Sequence, residues 1–258
     1  MIEERVFKSE SKYPIHYRFK TASRDCNHLL IVMSGFNLPD PTAYDFSQVL
    51  LYCDSHILWI KDDFDGLPAY YLCNKMSFEI EENVSQLITG VIAFLKTAKT
   101  SILGASKGGS MALYYGIKHN LDHVISVVPQ FYIGSYVAQD TPWEHVGKMM
   151  MGEINEAKIK LLNRKMAETI GSVNKTNQHI YLFTSPADYQ YTQEILPNLD
   201  LFSRFKHFNL IVSKSRFIAE HNQVANYNIK VILSLIYQFE HGITPHWGMI
   251  HNGGDWAA

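Results

Sequence analysis

Cysteine is scarce in this 258-residue chain: Cys26, Cys53 and Cys73 are an odd number at unrelated spacings, with no Cys-x-x-Cys pair. That pattern excludes a disulfide framework and a cysteine zinc site, and the three are read as reduced and buried. Long apolar runs are missing as well. The longest, near Leu29–Met33 and Val231–Tyr237, fall far short of the roughly 18 residues a membrane span needs. The opening MIEERVFKSE is charged and has no apolar stretch of the kind a signal peptide carries. A soluble, cytoplasmic protein with no membrane insertion is the expectation.

No charge of one sign prevails either. Lys and Arg number 23 against 25 Asp and Glu, a net charge of −2, which leaves no global attraction to nucleic acid or an anionic membrane. The phosphate-cradling patterns G-x-x-x-x-G-K-[S/T] and G-x-G-x-x-G are absent. Asp62-Asp63-Phe64-Asp65-Gly66 hints at a calcium loop, but Asn74 stands where an EF-hand needs its bidentate Glu. The segment is read as a solvated loop near the mouth of a site, and no metal is expected.

What is present is an ordinary globular composition, 47% hydrophobic and 19% charged, at a length that suits a single α/β domain. Short apolar runs at 28–34, 57–60, 101–104, 123–127, 179–184 and 208–213 read as buried strands. Between them, 84–96, 107–118 and 223–239 place apolar residues at helical spacing. That alternation means βαβ units and a mostly parallel sheet with helices on both faces. The first twenty residues suggest a leading antiparallel hairpin. The Met- and Lys-rich stretch 131–173 breaks the alternation and reads as a helical cap or insertion. The tail, 242–258, with Trp247 and Trp256, reads as a free end or a contact between protomers of a homodimer.

The sharpest local signal is Gly104-Ala105-Ser106-Lys107-Gly108-Gly109 between the strand SILG and an amphipathic helix. A G-x-S-x-G turn joining strand to helix is the setting of a nucleophile elbow, whose serine sits in a strained conformation above the sheet. There the helix dipole favours developing negative charge. The competing reading is a tight or phosphate-binding βα turn. In hydrolase-type chains the acid and then the histidine follow on loops after later strands. Asp188 follows HIYLFT, with Glu194 and Asp200 as rivals further out. His221 lies between FNLIVS and the final helix. His207 is at the wrong end of its strand, and His241, His246 and His251 come after the last helix. The oxyanion hole would use the N–H of Lys107, the residue after the nucleophile. A second donor is expected in Ser34-Gly35-Phe36-Asn37 after the first buried strand, with Phe36 N–H preferred and Gly35 N–H the alternative.

Taken together, these segments resemble the bacterial α/β-hydrolase-fold O-acetyltransferases of capsule biosynthesis and, more distantly, the acetyltransferase component of accessory Sec systems. The resemblance rests on Leu103 to Gly109 with Ala112-Leu113, on Val128-Pro129-Gln130, on Ala69-Tyr70-Tyr71-Leu72, on the Asp188 loop and on His221-Asn222. It runs from about Leu29 to Tyr237. It implies an α/β-hydrolase fold, acetyl-CoA as donor, and a ping-pong transfer to a sugar hydroxyl of a bacterial surface glycan. Ser106 would be nucleophile, His221 base and Asp188 the orienting acid. Tyr70 and Tyr71 would lie at the substrate. Lys158 and Lys160, with Lys148, Arg164 and Lys165, read as a solvated helix face or as a landing surface for a polyanionic acceptor or the CoA phosphates. The same triad would serve an esterase or deacetylase, and a non-catalytic role in a glycan-assembly complex is the reading from another class. Ser34-Gly35-Phe36-Asn37 departs from the family by lacking proline, and Ile218-Ala219-Glu220 by lacking glycine.

Overall fold

The computed structural model describes the chain except residues 1, 10, 37–42, 65, 174–176 and 255–258. Asn37, Asp65 and Trp256 therefore lie outside the described residues. The described residues form a nine-stranded sheet: β1 (Glu4–Phe7), β2 (Ile15–Lys20), β3 (His28–Met33), β4 (His56–Ile60), β5 (Lys99–Ala105), β6 (His123–Val127), β7 (His179–Thr184), β8 (His207–Ser213) and β9 (Met249–Asn252). Their spatial order is β1-β2-β4-β3-β5-β6-β7-β8-β9. The leading hairpin is antiparallel, β2 joins β4 antiparallel, and every other pairing is parallel.

β3, HLLIVM, is buried along its whole length, as a strand covered on both faces of a parallel sheet must be. Its side chains divide with the two-residue period of a strand. Leu29, Ile31 and Met33 join a core with α1 (Glu79–Leu95), α2 (Lys107–Lys118) and α5 (Glu156–Gly171), whereas Leu30 and Val32 join one with α6 (His221–Glu240). This is the α/β architecture expected from the sequence.

The segment 131–173, expected as a helical cap or insertion, holds the helices α3 (Ile133–Tyr136), α4 (Glu144–Met151) and α5. Leu162, Met166 and Ile170 of α5 are buried in the same core as α2. One expectation needs correction: the described part of the tail, through Gly254, is not free. β9 pairs parallel with β8, Trp247 N–H donates to Asn209 Oδ1 at 2.6 Å, and its ring meets Tyr181 edge-on at 5.7 Å. A four-residue strand half exposed on alternate positions carries too little pattern to be read from sequence, and it forms because the edge of β8 offers unpaired backbone. The cysteines are free, with Cys53 and Cys73 buried and Cys26 half-buried.

Candidate active site

β5 ends at Ala105 and α2 begins at Lys107, so a single residue turns the chain through the strand-to-helix corner. That residue, Ser106, is held at φ 54° and ψ −124°, the strained geometry of a nucleophile elbow. The neighbouring glycines are there for space. A Cβ on Gly104 would lie 2.0 Å from Gly108 O, and one on Gly108 would lie 2.3 Å from Met33 O. Backbone therefore packs on backbone, and the serine is raised at the carboxyl ends of the strands, where open α/β sheets bind ligands.

The later strands bring two further groups to the same point. Asp188 follows β7, is 3% exposed, and takes the Gln190 N–H on Oδ1. Its Oδ2 lies 2.8 Å from His221 Nδ1, and His221 Nε2 lies 2.9 Å from Ser106 Oγ. His221 is the first residue of α6. Gln223 fixes this helix start by accepting the Ala219 and Glu220 N–H groups on its side-chain oxygen. The rival acids are elsewhere. Glu194 caps the Phe131 and Tyr132 N–H groups, and Asp200 sits in the 3₁₀ segment Leu196–Arg204. Burial pushes the Glu194 carboxyl up, against the pull of those two N–H groups.

Of the oxyanion candidates, Gly35 is taken: its N–H donates to Asp45 Oδ2 at 2.6 Å, which removes the alternative donor. Among the described residues nothing accepts the N–H of Phe36 or of Lys107. The Phe36 ring stacks on Trp143 at 4.2 Å and 12°.

Two groups here have a place at the site that the sequence does not assign them. Gln130, just past β6, donates from Nε2 to Ser106 Oγ at 3.1 Å and to Gln190 Oε1 at 2.8 Å. Its Oε1 receives the hydroxyls of Tyr70 and Ser110. The second is Asp62. It is no solvated loop residue but a buried partner of Lys107, with Nζ 2.6 Å from Oδ2, while Oδ1 accepts the Ala69 and Tyr71 N–H groups. Burial pulls the Lys107 ammonium down while the Asp62 carboxylate holds it up. Only Gln130 had a foothold in the sequence, in the Val128-Pro129-Gln130 segment.

The expected substrate residues are not at the site. Tyr70 and Tyr71 are fully buried. Tyr70 acts behind Gln130, and Tyr71 Oη clasps the ends of β3 and β4 by accepting from Ser34 N and donating to Ile60 O. Lys158 donates to the carbonyls of Met151 and Glu153, Lys160 pairs with Glu156, Lys165 with Glu81 and Lys148 with Glu144. Three of these ammonium groups thus have carboxylate partners and Lys158 has carbonyl partners, with Lys148 and Lys160 still largely exposed on the helix surface. The cleft above Ser106 measures about 1120 Å³ and is lined by other residues, among them Phe36, Tyr44, Tyr136, Trp143, Tyr189 and Ile229. Among the described residues no cluster of His, Cys, Asp and Glu is arranged to hold a metal, and no helix is long and apolar enough to cross a membrane.

A parallel sheet with a serine elbow after β5, an acid after β7 and a histidine after β8 is the α/β-hydrolase fold. No protein-family model and no curated protein matches the chain in sequence, but solved structures share its fold. The capsule O-acetyltransferase of Neisseria meningitidis serogroup A superposes with a TM-score of 0.70 at 19% identity, covering 90% of this chain and 93% of that one. A histidine-to-alanine mutant of the same enzyme in complex with CoA gives 0.69 at 17% identity, over 90% and 94% of the two chains. A glycosylation-associated protein complex from Streptococcus agalactiae gives 0.71 at 18% identity, over 92% of this chain and 45% of that one. The likeness to capsule O-acetyltransferases noted in the sequence thus extends to the fold.

Proposed function

We propose that the protein is an O-acetyltransferase that moves acetyl from acetyl-CoA to a sugar hydroxyl of a bacterial surface glycan through an acyl-enzyme on Ser106. The carrying observation is the continuous relay of Asp188, His221 and Ser106, at 2.8 and 2.9 Å, in a fold shared with a capsule O-acetyltransferase that has been seen with CoA.

Ser106 Oγ attacks the thioester carbonyl while His221 Nε2 takes its proton. Asp188 holds Nδ1–H and steadies the imidazolium. The N–H groups of Lys107 and Phe36 receive the oxyanion. The C–S bond then breaks, and the thiol leaves with the proton from His221. A sugar hydroxyl enters the vacated place, gives its proton to His221 and takes the acetyl, which frees Ser106. The cleft suits the acetyl and pantetheine end of the donor, being lined largely by aromatic and aliphatic side chains. Its described lining has no Lys or Arg, so the donor's phosphates would lie beyond it.

Water entering in place of the sugar would make the same site an esterase. Intact-mass measurement after brief exposure to acetyl-CoA, beside Ser106→Ala, separates these readings. One acetyl on the native chain and none on the variant supports transfer from acetyl-CoA. No adduct and no consumption of acetyl-CoA would transfer the reading to an esterase of other esters or a non-catalytic partner in glycan assembly.

A further inference from the structure

The cleft above Ser106 is short of cations among its described residues. Its described lining contains two carboxylates, Asp45 and Glu220, and no Lys or Arg. The ammonium of Lys107, the residue after Ser106, is 1% exposed and held by Asp62. The lysines of α4 and α5 lie outside the described lining, paired with Glu144, Glu156 and Glu81 or donating to main-chain carbonyls. An anion brought to Ser106 would thus meet no Lys or Arg in the described lining, and the exposed Glu220 carboxylate stands one residue from the base.

The same lining offers flat apolar surface and neutral hydrogen-bonding groups. Phe36 and Trp143 are stacked 4.2 Å apart, Tyr136 lies within 15° of the Phe36 plane, and Tyr189, 63% exposed, stands 5.9 Å from the His221 ring. Ser47, Gln48, Asn222 and Asn226 supply hydroxyl and amide groups. Aromatic rings for C–H faces, with amides and carboxylates for hydroxyls, make a set that binds uncharged sugars.

From this we infer, building on the acyl-transfer reading above, that the acceptor group presented to Ser106 is an uncharged sugar residue and not an anionic one such as a uronate or a sugar phosphate. The inference replaces the polyanionic acceptor that the lysine-rich segment suggested.

Acyl transfer run backwards provides the test. Ser106 Oγ attacks the acetyl carbonyl of a sugar acetate, the bond to the sugar oxygen breaks, and that oxygen takes the proton from His221. Acetyl remains on Ser106, and the free sugar leaves. The probes are equilibrated mono-acetates of methyl glucoside and methyl N-acetylglucosaminide, against those of methyl glucuronide and glucose 6-phosphate. Acyl-enzyme is followed by intact mass and released sugar by chromatography, at low and high salt.

Neutral esters should acylate Ser106 about tenfold faster than anionic ones, the scale of one uncompensated like-charge contact in a partly screened cleft. Glu220→Gln, which keeps an acceptor oxygen for the start of α6, should narrow that gap about twofold to threefold. Anionic esters that react as fast or faster, with an advantage that falls as salt rises, would overturn the inference. So would p-nitrophenyl acetate acylating Ser106 while no sugar ester does. If neither p-nitrophenyl acetate nor acetyl-CoA leaves an adduct, the acyl-transfer reading itself has failed, a result distinct from both.

Discussion

Lys107 Nζ lies 2.6 Å from Asp62 Oδ2, with both side chains essentially inaccessible to solvent. The ammonium also sits 5.1 Å from the Phe36 ring centroid and 4.7 Å from that of Tyr71. One side chain thus ties the residue after the serine to the loop after β4 and to the ring of the second oxyanion candidate.

Breaking this pair from one side should be costly. Lys107→Met leaves a buried carboxylate without a counter-charge, a loss of about 3–5 kcal/mol. Adding Asp62→Asn removes the charge while its amide oxygen still accepts from Ala69 and Tyr71, so the double variant should regain most of that stability. Denaturant midpoints of the single and double variants measure both. Equal midpoints would mean the charge is compensated elsewhere.

Asp188→Asn should lower acylation of Ser106 by p-nitrophenyl acetate by about ten-thousandfold, because the amide favours the wrong imidazole tautomer. Asp200→Asn should leave the rate essentially unchanged. Stopped-flow release of p-nitrophenol reads both, and a loss below tenfold for Asp188→Asn would remove Asp188 from the relay.

Gln130→Ala deletes the amide donor on Ser106 Oγ and leaves the Tyr70 and Ser110 hydroxyls short of one acceptor. A fall of about tenfold in acylation rate is expected, the worth of one hydrogen bond. Gln130→Glu keeps the acceptor and loses the donor, and a comparable fall there would assign the effect to Nε2.

Stability should fall with acid through a buried chain at the other end of the sheet. His28 joins Ser55 to Ser101, and Ser101 joins His123, whose Nε2 meets Thr244. Burial lowers His28 to about 4 and His123 to about 3. A histidine lowered in the folded state contributes stability that is complete above its unfolded value near 6.5. That contribution is lost as pH falls toward 3–4, because the unfolded chain binds the extra proton. Each contributes a slope of about 1.4 kcal/mol per pH unit below 6.5. His123→Asn should flatten the curve by one proton's worth in melts between pH 7 and 5, and an unchanged slope would place the titration elsewhere.

Features set by near neighbours in the chain are legible in the sequence, and those set by distant ones are not. Buried strands such as HLLIVM and the amphipathic helices are visible because their periodicity is set by neighbours a few residues away. The elbow is visible because Gly104, Ser106 and Gly108 meet a steric demand inside five residues. Asp188 and His221 could be singled out because hydrolase-type chains place such groups just past particular strands, and the structure does bring them to Ser106. The resemblance places Tyr70 and Tyr71 at the substrate, but folding buries both; the lysines of α4 and α5, open to a solvated-face or a landing-surface reading, find partners on their own or neighbouring elements.

By itself, then, the sequence determined the order of strands and helices, the serine corner and the loops that could answer it, all consequences of local sterics and periodicity. Only the tertiary structure decided that Asp62 pairs with Lys107 across 45 positions and that Gln130 reaches Ser106. It also decided that Asp45 claims Gly35 and that Met249–Asn252 closes the sheet edge. Those choices depend on which distant groups burial leaves without water, and desolvation compels each to find a partner that no local pattern specifies.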